Sequence, residues 1–511
     1  MSRRLWLAYG TSLAMLPALS KTVSAVEKSP TFPSNPFTLG VASGDPDHRS
    51  VVLWTRLAPQ PLEPQGGMDP LPIAVRWELA DDEGFQKIVA SGTEVATPQL
   101  GHSVHVVPTG LRPDRWYYYR FLAGEATSPV GRTRTMPSPD SLPGQLRFAF
   151  ASCQHYETGF YTAYGQMARD QLDLVFHLGD YIYEGAGKDG KVRKHLGEEI
   201  KTLTDYRIRH SQYRSDPLLQ GMHAVCPWYV TWDDHELDNN YAGAISEKMQ
   251  EDPALFLQRR ANAYQAYYEA MPLRPRSLPQ GPNLQLYRRG AFGRLAEFQV
   301  LDTRQYRTDQ PNGDRGAELN DAALNPHNSI LGSRQREWLQ GGLLRSQGIW
   351  NILAQQVMMG MVGRGPEGKF HSMDQWPGYA HERMELVRYL QDRRIPNPVV
   401  LTGDIHSNWV NELRVDDHQP ELPVVATEFV GTSISSGGNG VQKNKAHAEI
   451  LAHNPGVKFQ NAERGYVRCV VTPDKWQSDY VVVEDVLQPN GNVLTRESFV
   501  IESGRPGVNK A

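Results

Sequence analysis

Six short apolar runs in this chain each stop at residues able to bind a metal ion or a phosphate. They end in Ser152-Cys153-Gln154, Gly179-Asp180-Tyr181-Ile182-Tyr183, Asp233-Asp234-His235-Glu236, Asp302-Thr303-Arg304, Gln355-Gln356 and Gly403-Asp404-Ile405-His406. A lone cysteine after a buried strand is commonly inert filler. Beside an Asp/Tyr/His set, Cys153 reads instead as a soft thiolate ligand for a transition metal. A carboxylate such as Asp180 can bridge two cations. A phenolate at Tyr183 needs a strong Lewis acid, such as ferric iron, to stay ionised at neutral pH. Three carboxylates around His235 repel one another unless cations or hydrogen bonds compensate. Asp404 and His406 stand two residues apart, so in extended chain they face the same way. Carboxylates also suit a harder divalent ion such as calcium. A mixed centre is expected, with iron at the Cys/Tyr side and the harder cation at the Asp side. Arg304 is a candidate for gripping phosphate through its planar guanidinium, or for pairing with Asp302.

Such ligands must be carried by a rigid frame. The apolar runs at 148–151, 174–178, 229–232, 298–301, 352–354 and 399–401 alternate with helical stretches at 203–222, 253–270, 333–344 and 382–392. Near-continuous apolar strands between helices predict an α/β domain with a buried sheet. Ligands in such sheets gather beyond the carboxyl ends of the strands, where several ends converge on one site. Residues 36–137 read differently, as short β-branched and aromatic runs separated by turns, which predicts a small β-sandwich. Residues 136–144, rich in Pro and Ser, have linker composition.

The chain has 511 residues, with 40% hydrophobic and 22% charged residues, enough to bury a core. Its formal net charge is −4, from 53 Lys+Arg against 57 Asp+Glu, which argues against specific nucleic-acid binding. Three cysteines cannot make a disulfide scaffold. Arg3-Arg4 precede a mild apolar stretch and Ser24-Ala25, so residues 1–25 resemble a twin-arginine signal peptide. The twin-arginine export machinery is thus an expected partner, with a periplasmic or secreted destination. No other run approaches a membrane span, and no stable membrane insertion is expected.

In this order the motifs resemble the PhoD-like alkaline phosphatases, relatives of purple acid phosphatases within the calcineurin-like metallophosphoesterases. The likeness runs from Phe37-Thr38-Leu39-Gly40 to Glu428-Phe429-Val430-Gly431-Thr432-Ser433, and so covers nearly the whole mature chain. It implies a four-layer αββα metallophosphatase core, residues 145–505, behind a fibronectin type III-like β-sandwich, residues 36–137. It also implies ferric iron and calcium, with phosphomonoesters and phosphodiesters cleaved by metal-activated water attack at phosphorus. Carried across, Cys153 and Tyr183 hold iron, Asp180 bridges iron and calcium, and Asp234, Asp404 and His406 complete the shell. Asp234 and Asp404 stand where the wider superfamily has Asn and His. Gln355 or Gln356 falls where it often has a histidine ligand. His235 is the candidate for donating a proton to the leaving oxygen or holding a phosphoryl oxygen.

A phospholipase D-type or other dedicated phosphodiesterase is the neighbouring reading, and a non-catalytic calcium-dependent binding protein the remote one. Three features are expected to be structural. The basic stretch 207–214 should be a solvated helix face, and Tyr264, Tyr267 and Tyr268 a stripe against the core. Residues 433–438 are left open between a flexible lid, a phosphate loop and neither. Cys226 and Cys469 should be buried.

Overall fold

The structure is a computed structural model that describes residues 30–247 and 251–511; the signal-peptide reading of residues 1–25 falls outside the described residues. The fold is mixed α/β with three sheets. In the largest, ten strands run in the order Arg505–Lys510, Val493–Glu502, Lys475–Val483, Arg464–Val471, Leu146–Ala151, Leu174–His177, Trp228–Val230, Val41–Gly44, Val52–Arg56 and Ser103–Val106. The second has seven, in the order Arg288–Phe292, Ala296–Val300, Trp350–Ala354, Pro398–Thr402, Ala426–Val430, Asn408–Leu413 and Val457–Asn461.

The period-2 rule decides where each side chain goes. Phe148, Phe150, Leu174, Phe176 and Leu178 of the ten-stranded sheet share one buried cluster with Phe298, Ile352, Ala354, Leu401 and Phe429 of the seven-stranded sheet. The intervening Ala149, Ala151 and Val175 join a different cluster, with Tyr164, Leu219, Met222, Tyr264 and Tyr267 from helices. Leu353 and Val400 likewise turn toward Leu339, Leu343, Leu386 and Leu390 on the helices Gly332–Arg345 and Ala380–Asp392. Both sheets are therefore apolar on both faces, as the unbroken runs require.

Three strands from the first hundred or so residues lie at one end of the ten-stranded sheet. The junction is parallel pairing of Gly44 with Trp228. A side chain at Gly44 is excluded, because its Cβ would sit 2.6 Å from the Pro272 carbonyl oxygen. Across from these strands lies a third sheet built from Ile73–Ala80, Ile88–Ala96, Trp116–Ala123, Ala126–Thr127 and Gly131–Arg134. Val41, Leu53 and Val104 pack with Val75, Leu79, Tyr119 and Phe121 between them.

Two sequence expectations need correction. The helix expected over 203–222 is two helices, Leu203–Arg214 and Pro217–Val225. Asp216 accepts hydrogen bonds from Leu218 N and Leu219 N and Pro217 opens the new helix, an N-cap with proline at the first position. The basic stretch is not a solvated face either. Arg207, Arg209 and Arg214 are all buried. Arg207 forms an ion pair with Glu269, Arg209 donates to the Tyr183 and Gly185 carbonyls, and Arg214 donates to the Ala270 carbonyl. Guanidinium groups can be buried when each N–H fork finds acceptors. Tyr264, Tyr267 and Tyr268 are buried as expected, and so are Cys226 and Cys469.

Candidate metal centre

Leu146–Ala151, Leu174–His177 and Trp228–Val230 are parallel neighbours, and so are Ala296–Val300, Trp350–Ala354 and Pro398–Thr402. Their carboxyl ends therefore point the same way, and the residues just beyond them converge. Cys153, Asp180 and His406 place ligand atoms within 4.8 Å of one another, and so do Asp180, Asp234 and His235, and Asp233, Asp234 and Asp404. Asp180 is shared by the first two groups and Asp234 by the last two.

The backbone is bent to achieve this. Cys153, Asp180, Asp404 and His406 have φ of 58°, 54°, 64° and 53°. The left-handed region costs a non-glycine residue about 1–3 kcal/mol, and such residues cluster at functional sites. Gly179, at φ 108°, lets the turn approach its neighbour, since a Cβ there would lie 2.4 Å from Asp233 Cβ. The Glu236 carboxylate then fastens the two turns together by accepting from Asp180 N at 3.1 Å, Asp233 N at 2.8 Å and Tyr181 N.

Tyr183 Oη donates to Asp180 Oδ2 at 2.8 Å and lies 3.2 Å from His406 Nε2. Its ring is flanked by His155 and His235, at centroid distances of 4.3 and 4.2 Å. Ser436 Oγ completes this side, 2.6 Å from Tyr183 Oη and 2.7 Å from the Cys153 carbonyl oxygen. The segment 433–436 is thus not a flexible lid. It pairs with Ser152 through Ser433, and Ser433, Ser435 and Ser436 are buried. Burial, and after it the charge of Asp180, push both the Cys153 thiol and the Tyr183 phenol well above their ordinary values.

The other side is acidic and carries its own cation. Arg304 is fully buried. It forms ion pairs with Asp233, with Asp374 at 2.7 Å and with Asp404 at 3.2 Å, and approaches Asp234 at 3.8 Å. The expected phosphate grip by Arg304 is therefore replaced by a grip on carboxylates. Asp302 is not its ionic partner, because that carboxylate accepts from the backbone N–H groups of Arg304 and Gln305 at 3.1 and 2.9 Å. Burial disfavours the charge on Asp234, but Arg304 and then His235 overcome it and hold its carboxyl below the usual range. Gln375, unremarked in the sequence, donates to Asp404 Oδ2.

His235 Nδ1 lies 2.7 Å from Glu184 Oε2, which leaves Nε2 as the ring nitrogen able to serve a substrate. Burial opposes its charged form, yet Glu184, Asp234 and Asp180 raise it well above the ordinary histidine value. Neither glutamine is free to act as a ligand. Gln355 donates to the Val357 carbonyl and to Thr402 Oγ1 and accepts from Trp376 Nε1, and Gln356 bonds Thr303, Thr231 and the Leu301 carbonyl.

The donor set fits metal ions. Asp180 Oδ1 and Asp234 Oδ1 are buried without a hydrogen-bond partner among the described residues, a costly state for carboxylate oxygens unless a cation meets them. A further group, His155, Glu157 and His195, also brings ligand atoms within 4.8 Å. There Arg209 Nη1 already stands 3.1 Å from His195 Nδ1, so a guanidinium occupies that neighbourhood.

The sequence profile of the PhoD-like phosphatase family matches residues 148–480, and that of the PhoD-like phosphatase N-terminal domain matches residues 22–137. Alkaline phosphatase D of Bacillus subtilis (strain 168) is 51% identical over 507 residues, covering 98% of this chain and 87% of that protein. A solved structure described as PhoD superposes with a TM-score of 0.92 at 52% identity, covering 94% of this chain and 93% of the other.

Proposed function

We propose that this chain, which belongs to the PhoD-like phosphatase family and is a phosphoric ester hydrolase, cleaves both phosphomonoesters and phosphodiesters at the cluster around Asp180. The observation that carries the site is the sharing of Asp180 between two ligand groups, with one buried oxygen left over. Cys153, Tyr183, Asp180 and His406 would hold ferric iron, and Asp180, Asp234 and Asp404 would hold calcium. Bound there, the two ions supply Lewis acidity toward water and the phosphoryl oxygens.

The rest belongs to the chain. Arg304 holds Asp234 ionised and keeps Asp404 in place. Glu184 orients His235, whose Nε2 delivers a proton to the leaving oxygen or holds a phosphoryl oxygen. Gln375 fixes Asp404, and Ser436 fixes the Tyr183 hydroxyl. Such supporting contacts set ligand orientation and affinity.

The finer architecture is read the same way. The shared cluster between the two large sheets, and the separate helix-facing clusters, support a four-layer αββα core in residues 145–505. The apolar cluster between Val41, Leu53 and Val104 and the third sheet supports a β-sandwich of fibronectin type III type in residues 36–137. Export by the twin-arginine route to the periplasm or outside rests on Arg3-Arg4 and the apolar stretch that follows. Among the described residues no helix is long and apolar enough to cross a membrane.

The test is metal content, visible spectrum and ester turnover measured together on protein purified without chelators. A tyrosinate-to-iron absorption band, calcium, and turnover of both ester types are expected. Iron-free, colourless protein at full activity would overturn the iron assignment.

A further inference from the structure

Beside the candidate metal centre is a pocket of about 290 Å³, into which His406 reaches from one wall. Ile405, Trp409 and Ile450 make it partly apolar, and Arg364 and Glu449 bring charge. Arg364 differs from the other arginines around the centre. Arg304, Arg307 and Arg383 are each spent on an aspartate, Asp374 or Asp417. The Arg364 guanidinium has no hydrogen bond or ion pair to any described residue, and its carbon lies 5.8 Å from the Trp409 ring centroid.

Its backbone, by contrast, is firmly held. Arg364 N donates to the Phe370 carbonyl at 2.8 Å, and Phe370 N returns the bond at 3.1 Å. The preceding Gly363 is clasped by the Asn454 side chain, which accepts from its N at 2.7 Å and donates to its carbonyl at 2.8 Å. Asn454 directly follows the His447–His453 helix, which supplies Ile450 and Glu449 to the pocket. An exposed guanidinium on a hydrogen-bonded backbone, with its planar bidentate head uncommitted, is suited to an anion that arrives from outside. His406, a candidate ligand, lines the same pocket as Arg364, which sets the guanidinium beside the centre.

We infer that Arg364 recognises a second negative charge on the substrate, so that phosphate esters whose leaving alcohol or second ester group is itself anionic are favoured over neutral ones. The inference rests on the placement of the phosphoryl group at the Asp180 cluster. The apolar wall serves the carbon skeleton between the two charges, and Arg364 is a specificity residue outside the ligand set.

The metal-replete full chain is assayed with glycerol 3-phosphate and 3-phosphoglycerate, which differ in carrying a hydroxymethyl or a carboxylate group. Arg364→Met should lower kcat/KM for 3-phosphoglycerate by about 10- to 100-fold, the scale of one charge-assisted hydrogen bond, and leave glycerol 3-phosphate within about twofold. Arg364→Lys should restore part of the difference. Calorimetric binding of 3-carboxypropylphosphonate against butylphosphonate, whose C–P bonds are not cleaved, should show the same selective loss.

Equal losses on both esters, or an unchanged ratio, overturn the inference. If the wild type turns over neither ester, the phosphonate pair decides, and equal affinities in wild type and Arg364→Met overturn it. A misplaced centre reads differently: Asp180→Asn would then process both esters normally, whatever the Arg364→Met ratio.

Discussion

The two halves of the centre solve the same electrostatic problem in opposite ways. On the Asp234–Asp404 side, four carboxylates surround one buried guanidinium, and Arg307 adds a second cation on Asp374. On the Cys153–Tyr183 side Arg209 and Arg464 reach only the Tyr183 and His406 backbone carbonyls, and among the described residues no arginine or lysine forms an ion pair with the Cys153, Tyr183 or His406 side chain. There, burial keeps thiol and phenol protonated. The guanidinium offsets only part of the burial cost, because Asp233 and Asp404 stay above the usual carboxylate range, whereas on the other side thiol and phenol hold protons that a metal ion would replace. Metal dependence should be concentrated on the second half, and folding cost on the first.

The comparison breaks first at Asp180, the residue common to both sides. Asp180→Asn should reduce kcat/KM by at least about 1000-fold, since one shared carboxylate serves two ligand groups. Elemental analysis should show both metals depleted while far-ultraviolet circular dichroism is retained; normal turnover with full metal occupancy would show that the halves are independent.

Next comes Arg304→Met, which leaves Asp233, Asp234 and Asp404 without their cation, while Asp374 keeps Arg307. Denaturant unfolding of metal-free protein should show a loss of about 3–5 kcal/mol, the usual consequence of removing one partner from a buried ion pair. A loss below about 1 kcal/mol would mean that the acidic half is not held together by this guanidinium.

The smallest effect is expected at Tyr183→Phe. Removing one hydroxyl should cost about 10-fold in activity and abolish the visible band of iron-loaded protein. The stability of the metal-free protein should move by no more than about 1 kcal/mol, because the ring between His155 and His235 is kept. A large stability loss would make the phenol a structural group like the acidic side.

How far the sequence reveals all this differs by kind of residue. Cys, Asp, Tyr and His standing immediately after apolar strands mark the candidate region by period and residue type, the family resemblance singles out Cys153, Asp180, Tyr183, Asp234, Asp404 and His406 within it, and the structure brings these side chains together. Family membership was legible from the ordered motifs that carry the resemblance. Supporting residues leave no such mark. Asp374 and Gln375 lie in a loop before Trp376–Tyr379, far from any strand end, and reach the centre only because that loop folds over Arg304. Arg304 was found, but its partners were misjudged. A guanidinium four residues past a strand reads as a phosphate ligand until the depth of its burial is known. The 207–214 stretch misleads in the same way: its charges suggest solvent, and only the tertiary contacts with Glu269 and turn carbonyls explain their interior position. Ser436 is nearly invisible in sequence, since a hydroxyl on Tyr183 has no spacing rule.

The pairing of Gly44 with Trp228 bears on how the chain can be cut and when it can fold. Tyr229 Oη also reaches the Pro46 carbonyl at 2.7 Å, across 183 residues of sequence. Val41–Gly44 therefore has no partner on that flank until the Trp228–Val230 segment has been synthesised. Such a distant contact must close a long loop before it contributes, which slows assembly. Truncation before residue 145 would strip the neighbour from Trp228–Val230 and leave an open strand edge of Trp, Tyr and Val, a template for self-association. The early strands thus act as an edge protector for the catalytic sheet, and the two parts are expected to unfold as one cooperative unit.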